Sequence, residues 1–245
     1  MARTLYMAIA VICYFAFFGS FLYLIGFVGN LPGLPNTVDR SPTPSGGSAM
    51  LVNLGLIALF GLQHSVMARS GFKAGLTRVV PPVLERSVYC LASAVVLVVL
   101  YCLWQPMPAL VWDVQSAGGR MALWLLFAVG WLIVLVSTFL LNHFELFGLA
   151  QPWRNLRGTA VPVEAFSTPG FYRAVRHPIY AGFVLAFWAT PTMTQGHLLL
   201  AAGMTVYILI GIRYEERDLV ARFGAQYSAY KTKVGMLFPR FGGGS

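Results

Sequence analysis

Residues 176–217 read RHPIYAGFVLAFWATPTMTQGHLLLAAGMTVYILIGIRYEER, and this stretch decides the fold. Its apolar run is interrupted at ATPTMTQG by Pro191 and Gly196. Because both residues disfavour a continuous helix, the pattern predicts a helical hairpin with a short arm at 178–190 and a longer arm at about 196–213. At about 1.5 Å per residue the short arm reaches only about 20 Å, so we expect a tilted or incomplete membrane span.

Four further apolar segments precede the hairpin. Each approaches the roughly 20 residues that a helix needs to cross a bilayer; they are 5–29, 49–68, 87–105 and 121–142. The chain of 245 residues is 58% hydrophobic and 10% charged, whereas soluble domains carry about 25% charged residues. We therefore predict an all-α integral membrane protein with five to six transmembrane helices, the last two forming the hairpin. The first run is too long for a signal-peptide core and is interpreted as a retained span.

The basic residues predict the orientation of these spans. If the amino terminus lies inside, all of the 17 Lys and Arg residues except Arg40 and Arg120 fall on that side. This asymmetry follows the positive-inside rule, so we expect both termini in the cytoplasm. The net charge of +9 then results from topology, and we expect no nucleic-acid partner.

Three other segments complete the organisation of the chain. The loop at 31–48 is rich in Pro, Gly and Ser, which is typical of an irregular surface connection. After Arg213, apolar residues recur at spacings of three and four and predict an amphipathic cytoplasmic helix; they are Leu219, Phe223, Tyr227, Tyr230 and Val234. No repeat or separate soluble segment is seen, so residues 1–240 are expected to form a single membrane domain, and FGGGS (241–245) is interpreted as an artificial linker.

Polar residues converge on the cytoplasmic side of the predicted topology. The hairpin begins after Arg176 and His177 and returns at RYEER (213–217), so these motifs lie at one membrane level. The second and fourth spans bring further polar side chains to that level, namely His64, Asn142, His143 and Glu145. Intramembrane polar groups are costly and are more often functional than those at a boundary. His197 falls on the opposite side, and we assign it no role.

This group of side chains suits a ligand with both anionic and cationic parts. A helix amino terminus beside Arg173 and Arg176 favours a carboxylate or phosphate. The glutamates favour a cationic or hydroxyl-bearing part, so a zwitterion joined to a sugar fits both. Simpler interpretations stay open: the arginines as interface anchors, His177 as a helix cap, and the glutamates as a solvated face.

Other classes of protein are less consistent with the pattern. Cys13, Cys90 and Cys102 lie in apolar runs, which favours buried small side chains over disulfides or metal ligands. The histidines have no HxxxH-like spacing, so neither a haem nor a metal site is predicted. A transporter also uses broken helices like the one at 190–196, but we see no accompanying inverted repeat.

Two motifs carry a family resemblance. RHPIYAGF (176–183) and, about thirty residues later, EERDLVARFGAQYSAYKTKV (215–234) resemble the signature of the isoprenylcysteine carboxyl methyltransferase and phospholipid methyltransferase superfamily. Gly235 departs from the proline that many members have there. Three further segments are similar to its NnrU-like branch of methanethiol S-methyltransferases, bacterial membrane enzymes; they are GLQHSVMAR (61–69), VVPPVLERSVY (79–89) and NHFELFGLAQPW (142–153).

The resemblance implies an enzyme of the bacterial inner membrane that uses S-adenosylmethionine (SAM) and releases S-adenosylhomocysteine. It implies S-methylation of a small thiol, methanethiol to dimethyl sulfide, within the membrane and without an obligate protein partner. Carried over by position, the residues implied to line the cofactor are Arg176, His177, Tyr180, Gly182, Glu215, Glu216, Tyr227 and Tyr230. Hydrogen sulfide, another thiol or a lipid head group stay open as acceptors.

The implied reaction is an in-line displacement from a sulfonium, and alignment of the reactants supplies much of its acceleration. An alkanethiol is a weaker acid than cysteine, whose pKa is about 8.5, so a general base would help. Our candidates are His64 first and His143 second, because both project from span ends toward one plane. Arg86 or Arg173 would instead stabilise the thiolate electrostatically.

Overall fold

The computed structural model describes residues 1–42, 46–162 and 165–240, so the linker predicted at 241–245 lies outside the described residues. Helices dominate this part of the chain. They are α1 (Ala2–Val28), α2 (Ala49–Met67), α3 (Ser70–Leu76), α4 (Glu85–Leu103), α5 (Ala117–Leu140), α6 (His143–Leu146), α7 (Ala150–Arg157), α8 (Pro178–Trp188), α9 (Gln195–Phe223) and α10 (Ala225–Lys233). Short 3₁₀ helices lie at Pro82–Leu84 and Gly170–Arg173, and the strands are β1 (Leu110–Asp113) and β2 (Thr192–Thr194).

Among the described residues, five helical segments are long and apolar enough to cross a membrane. They are α1, α2, α4 with its preceding 3₁₀ turn, α5 and α9. Helix α8 is equally apolar but has 11 residues, which is about 16 Å of helix and too short for a full span. The prediction of an all-α integral membrane protein is confirmed, with bounds within a few residues of those predicted for the first four spans.

The chain divides into two compact units. The first comprises Met1–Val111, His143–Val161 and Met193–Leu200, and the second comprises Trp112–Asn142, Pro162–Thr192 and Ala201–Ser245. In the first unit, α4 packs against both α1 and α2, and α7 packs against α1. In the second unit, the main helix contact joins α5 to α8. The single domain expected from the sequence stays a prediction.

Two glycines allow α5 and α8 to approach closely. A Cβ atom on Gly182 would lie 2.6 Å from the carbonyl oxygen of Gly130, and a Cβ on Gly130 would lie 2.7 Å from the amide nitrogen of Ala186. Small residues at helix contacts let backbones come together inside a membrane. The packing of α5 on α8 therefore accounts for glycine at position 182.

The hairpin is present, and its two arms run antiparallel. At one end His177 contacts Glu216, and at the other end the Trp188 indole donates to the Thr205 hydroxyl at 3.0 Å. Strand β2 occupies the break between the arms and pairs with β1. The sequence analysis missed this small sheet because two strands of three and four residues carry almost no periodicity.

The connection between α1 and α2 is more buried than we predicted. Thr37 and Val38 are 0% exposed, and the buried Trp104 indole donates to the Val38 carbonyl oxygen at 3.0 Å. The Asp39 carboxylate accepts from Asn30 at 2.6 Å and from the Thr194 hydroxyl at 2.5 Å. The expectation of an irregular surface connection is therefore wrong for this part of the loop, because polar anchors distant in sequence hold it in the interior.

The amphipathic helix predicted after Arg213 is also corrected. Helix α9 continues unbroken through this position to Phe223, since the segment is rich in good helix formers. Gly224, with φ +55°, then separates α9 from α10. The predicted single helix is thus the end of α9 followed by a distinct short helix.

Candidate functional site

The first candidate site lies where α8 begins and α9 ends. Pro178 occupies the first turn of α8, where a missing amide hydrogen costs nothing, so His177 stands directly before the helix. The Glu216 carboxylate on α9 lies 2.7 Å from Arg176 Nε and 3.3 Å from His177 Nε2. The structure therefore brings together the RHP and EER motifs, as the sequence predicts.

A lysine that sequence reasoning missed joins the same carboxylate. Lys231 Nζ on α10 lies 2.7 Å from the second oxygen of Glu216. Charge-assisted hydrogen bonds of this kind are about twice as strong as neutral ones. With its side chain only 8% exposed, Glu216 is an internal acceptor that joins three separate segments of the second unit.

The segment after α10 lies beside the RHP motif. The amide nitrogen of Arg176 donates to the Gly235 carbonyl oxygen at 2.8 Å, and that of His177 donates to Met236 at 3.1 Å. The Arg176 guanidinium donates to the carbonyl oxygens of Lys231, at 3.1 Å, and of Val234. The guanidinium of Arg176 thus holds the end of α10 and Val234 in place, a role that its motif alone does not indicate.

The two neighbouring glutamates have different environments. The Glu215 side chain is 44% exposed, and its carboxylate lies 3.8 Å from His177 Nδ1. His177 is itself buried. One of its ring nitrogens faces the exposed Glu215 carboxylate and the other faces the buried Glu216 carboxylate. Tyr180, in the first turn of α8, lies with its ring 5.7 Å from the imidazole of His177. Of the two predicted acidic ligands, Glu215 is the one directed to the exterior.

An aromatic group adjoins these ion pairs. The ring of Phe166 lies 6.0 Å from that of Tyr227 and 5.4 Å from that of Tyr230, and the Tyr230 hydroxyl donates to the Tyr172 carbonyl oxygen at 2.5 Å. Burial raises the pKa of Tyr230 to about 12, although Arg176 opposes the shift. Burial likewise raises the pKa of Tyr227. Both phenols are therefore neutral near pH 7, and the buried Tyr227 hydroxyl has no hydrogen-bond partner among the described residues.

The remaining residues predicted in the second unit are Gly182 and Arg173. Gly182 is buried in the contact between α5 and α8, which explains its identity without a ligand. Arg173 ends a 3₁₀ helix and is exposed. The role of Gly182 as a cofactor-lining residue and that of Arg173 in catalysis stay predictions.

A second polar group lies in the first unit, around His64 near the end of α2. Its ring centre lies 5.3 Å from that of Phe60 and 5.0 Å from that of Tyr89 on α4. His64 Nδ1 is 3.1 Å from the Ser93 hydroxyl, and the Arg86 guanidinium lies 5.3 Å from the centre of the Tyr89 ring. Two of the predicted catalytic residues, His64 and Arg86, therefore contact the same tyrosine.

Sequence reasoning did not identify Tyr89 or Ser93. They lie four residues apart in α4 and so on one helix face, but nothing in the sequence pairs that face with α2. Arg86 itself is anchored, since its Nε donates to the Leu146 carbonyl oxygen at 2.8 Å.

His143, the second candidate base, has different surroundings. Asn142, with φ +77°, ends the turn after α5, a conformation that asparagine tolerates better than most residues. The His143 imidazole is 3% exposed, and its Nε2 lies 2.8 Å from the Tyr14 hydroxyl. Burial lowers the pKa of His143. This histidine is thus neutral at physiological pH and partnered by a residue that the sequence analysis did not select.

Two further polar features complete the description. Glu145, grouped with His143 by the sequence, forms a two-fold ion pair with Arg154 at 2.5 and 2.7 Å. In the part of the chain that is described, no three His, Cys, Asp or Glu side chains form a group able to hold a metal ion.

Fold and site together define an all-helical integral membrane protein with polar, ion-paired groups at helix ends. Residues 52–238 match the NnrU protein family. The chain belongs to this family.

The similar proteins include several with one activity in their names. The chain is 51% identical over 239 residues to a methanethiol S-methyltransferase of Mycobacterium tuberculosis, covering 98% of each chain. It is 48% identical over 242 residues to methanethiol S-methyltransferase 2 of Bradyrhizobium diazoefficiens, covering 98% of this chain and 92% of the relative. A more distant relative is Nurim of Xenopus laevis, 30% identical over 231 residues that cover 86% and 81% of the two chains. No solved structure matches the chain.

Proposed function

We propose that this protein is a SAM-dependent methyltransferase that converts methanethiol to dimethyl sulfide. The observation that carries the proposal is identity of about half of all residues, over nearly the whole of both chains, to proteins named methanethiol S-methyltransferase. The aligned length covers 98% of this chain, so the RHP and EER motifs and the segments around His64 and His143 fall within the compared region.

The described residues of the second unit fit SAM. The cofactor carries an ammonium and a carboxylate, a ribose with two hydroxyls, and an adenine. The exposed Glu215 carboxylate suits the ammonium or the ribose hydroxyls, and the exposed Arg173 guanidinium suits the carboxylate. The buried Tyr227 hydroxyl, which has no partner among the described residues, supplies a further polar contact beside the aromatic rings.

Glu216 and Arg176 have a supporting role in this proposal. Their charges are committed to each other, to Lys231 and to the carbonyl oxygens that follow α10. They hold His177 and the tail tyrosines in place, so that Glu215 and Tyr227 keep a fixed geometry for the ligand. Preorganisation of this kind reduces the free energy cost of binding.

SAM supplies an electrophilic methyl group on a sulfonium, and the chain must supply alignment and a route for the thiol proton. We rank His64 above His143 as the general base, because His64 is half-buried whereas His143 is 3% exposed and bonded to Tyr14. Arg86, next to Tyr89, adds a fixed positive charge that favours thiolate over thiol. In this role the His64 imidazole would accept the proton of the thiol.

The proposed orientation places both termini in the cytoplasm of a bacterial cell, with the chain in the inner membrane. It rests on the distribution of basic residues. SAM, being charged, then reaches the ends of α8 and α9 from the cytoplasm. Methanethiol is small and apolar and reaches the helices through the bilayer.

The test is purified protein in lipid nanodiscs with SAM and methanethiol, followed by headspace detection of dimethyl sulfide. We expect dimethyl sulfide at a rate that scales with the protein concentration. Methylation of hydrogen sulfide or a lipid head group without dimethyl sulfide would overturn the proposed acceptor, and the absence of SAM binding by calorimetry would overturn the proposed activity altogether.

A matched pair of variants tests the cofactor site. Glu215→Gln is expected to weaken SAM binding by about tenfold or more, because a hydrogen bond to a charged group contributes about 1.5–3 kcal/mol. Asp218→Asn, an exposed acid one turn further along α9, is the control and should leave the SAM affinity unchanged.

A further inference from the structure

Ser137 on α5 carries a buried hydroxyl that is unpaired. The residue is 0% exposed, and its Oγ has no hydrogen-bond partner among the described residues. The other buried serine and threonine side chains of the described helices each donate to a backbone carbonyl oxygen; they are Ser20, Ser87, Ser93 and Thr138. Because an unpaired buried hydroxyl costs free energy, its presence needs a reason.

Close packing of α5 on α8 does not supply that reason. Ser137 follows Gly130 by about two helix turns, so both lie on the face of α5 that contacts α8. Small residues favour such a contact. Alanine, however, is nearly as small as serine, forms helices better and has no polar atom to bury. Packing alone would therefore favour alanine over serine at this position.

The contacts between the two helices place Ser137 beside the start of α8. A Cβ on Gly130 would lie 2.7 Å from the amide nitrogen of Ala186, and a Cβ on Gly182 would lie 2.9 Å from that of Val134. Four residues forward on α5 thus correspond to four residues back on α8, so the helices are antiparallel. One turn beyond Val134, Ser137 lies level with the first residue of α8.

The end of α5 also borders the 3₁₀ helix that precedes α8. A Cβ on Gly170, the first residue of that 3₁₀ helix, would lie 2.7 Å from Leu140 Cδ1. Leu140 is one turn beyond Ser137, and the exposed Arg173 ends the 3₁₀ helix. Ser137 therefore lies where three segments of the second unit meet.

The start of α8 favours a negatively charged group. His177 precedes the helix without forming a side-chain cap. The first-turn amide groups and the helix dipole give this end a partial positive charge, and helix amino termini bind carboxylates and phosphates for that reason. The anionic part of SAM is its carboxylate, and a serine hydroxyl is a suitable donor to a carboxylate oxygen.

We propose that Ser137 is a cofactor-binding residue whose hydroxyl donates to the carboxylate of SAM at the start of α8. The inference rests on the proposed function, and it adds a residue that lies outside the RHP and EER motifs. Within the protein the hydroxyl has no acceptor, and the carboxylate of the cofactor supplies one. Arg173, on the neighbouring 3₁₀ helix, is the cation proposed above for the same carboxylate.

Ser137→Ala removes the hydroxyl without enlarging the side chain. By calorimetry in lipid nanodiscs, we expect the Kd for SAM to rise about tenfold or more, because a hydrogen bond to a charged group is lost. In the absence of SAM, the Tm of the variant should be equal to or higher than that of the unmodified protein, since no internal hydrogen bond is removed. A serine with a structural role only would not combine weaker binding with undiminished stability.

Ser87→Ala is the matched control, and the opposite result is expected. Ser87 is also 0% exposed, but its hydroxyl donates to the Gly148 carbonyl oxygen at 2.7 Å. Its replacement leaves a buried acceptor without its donor, so the Tm should fall while the Kd for SAM stays the same.

Decarboxylated SAM tests which part of the cofactor Ser137 contacts. The unmodified protein should bind this analogue more weakly than SAM, and Ser137→Ala should cause no further loss of its affinity. An unchanged Kd for SAM in Ser137→Ala, a lower Tm in that variant, or an equal loss of affinity for both ligands would overturn the inference and leave the proposed function intact. If the unmodified protein does not bind SAM, the proposed function and this inference both fail.

Discussion

Replacing Glu216 with glutamine removes the one negative charge that Arg176, Lys231 and His177 share. The carboxylate lies 2.7 Å from both Arg176 Nε and Lys231 Nζ. Side-chain exposures are 8% for Glu216, 10% for Arg176 and 45% for Lys231. A buried hydrogen bond between charged groups contributes about 1.5–3 kcal/mol, and a half-exposed pair adds at most about 1 kcal/mol. We therefore expect Glu216→Gln to cost about 2–4 kcal/mol.

The loss should appear locally, because these contacts hold α10 and residues 234–236 against residues 175–177. Hydrogen–deuterium exchange followed by mass spectrometry measures the opening of that segment directly. A cost of about 2–4 kcal/mol corresponds to exchange that is roughly 30- to 700-fold faster in peptides covering 225–240. Peptides from α1 and α4 in the first unit should be unaffected.

Glu215→Gln is the control for this experiment. Its side chain is 44% exposed and lies 3.8 Å from His177, so in the absence of SAM we expect a change below about 0.5 kcal/mol, or about a twofold change in exchange. Equal exchange in the two variants would show that Glu216 does not hold the tail, and the reasoning from burial and charge would be refuted.

Three further predictions concern packing, titration and the buried loop. Gly182→Ala should destabilise the protein by about 1–3 kcal/mol because its Cβ would meet backbone atoms; thermal unfolding in detergent measures this, and Gly211→Ala, with open space around it, should not be destabilised. Burial lowers the pKa of His143, so below about pH 6.5 the unfolded chain binds a proton that the folded chain does not. The free energy of unfolding therefore decreases as the pH decreases. The decrease in Tm between about pH 7.5 and 5.5 should therefore be smaller in His143→Gln than in the unmodified protein. Trp104→Phe leaves a buried carbonyl without its donor and should cost about 1–3 kcal/mol; a thermal shift no larger than that of Trp124→Phe, a more exposed indole, would contradict this.

Hydropathy and helix breakers determined the membrane architecture from the sequence alone. The first four spans were predicted within a few residues, because each is a continuous apolar segment whose length matches a bilayer. Pro191 and Gly196 located the break in the hairpin, and the direction of its two arms brought the RHP and EER motifs to one level. These features follow from local composition and from chain connectivity, which a single sequence contains.

Only the tertiary structure decided which polar groups share a contact. Lys231 meets Glu216, Ser93 meets His64, and Tyr14 meets His143 across separations of 15, 29 and 129 residues. The burial of Val38 beneath Trp104 is another case, since a segment rich in Pro, Gly and Ser carries no signal for burial. The physical reason is the same throughout. Hydropathy and helix propensity act over a few neighbouring residues, whereas an ion pair or a hydrogen bond between helices depends on how helix faces pack, and that packing is set by side chains far apart in the chain.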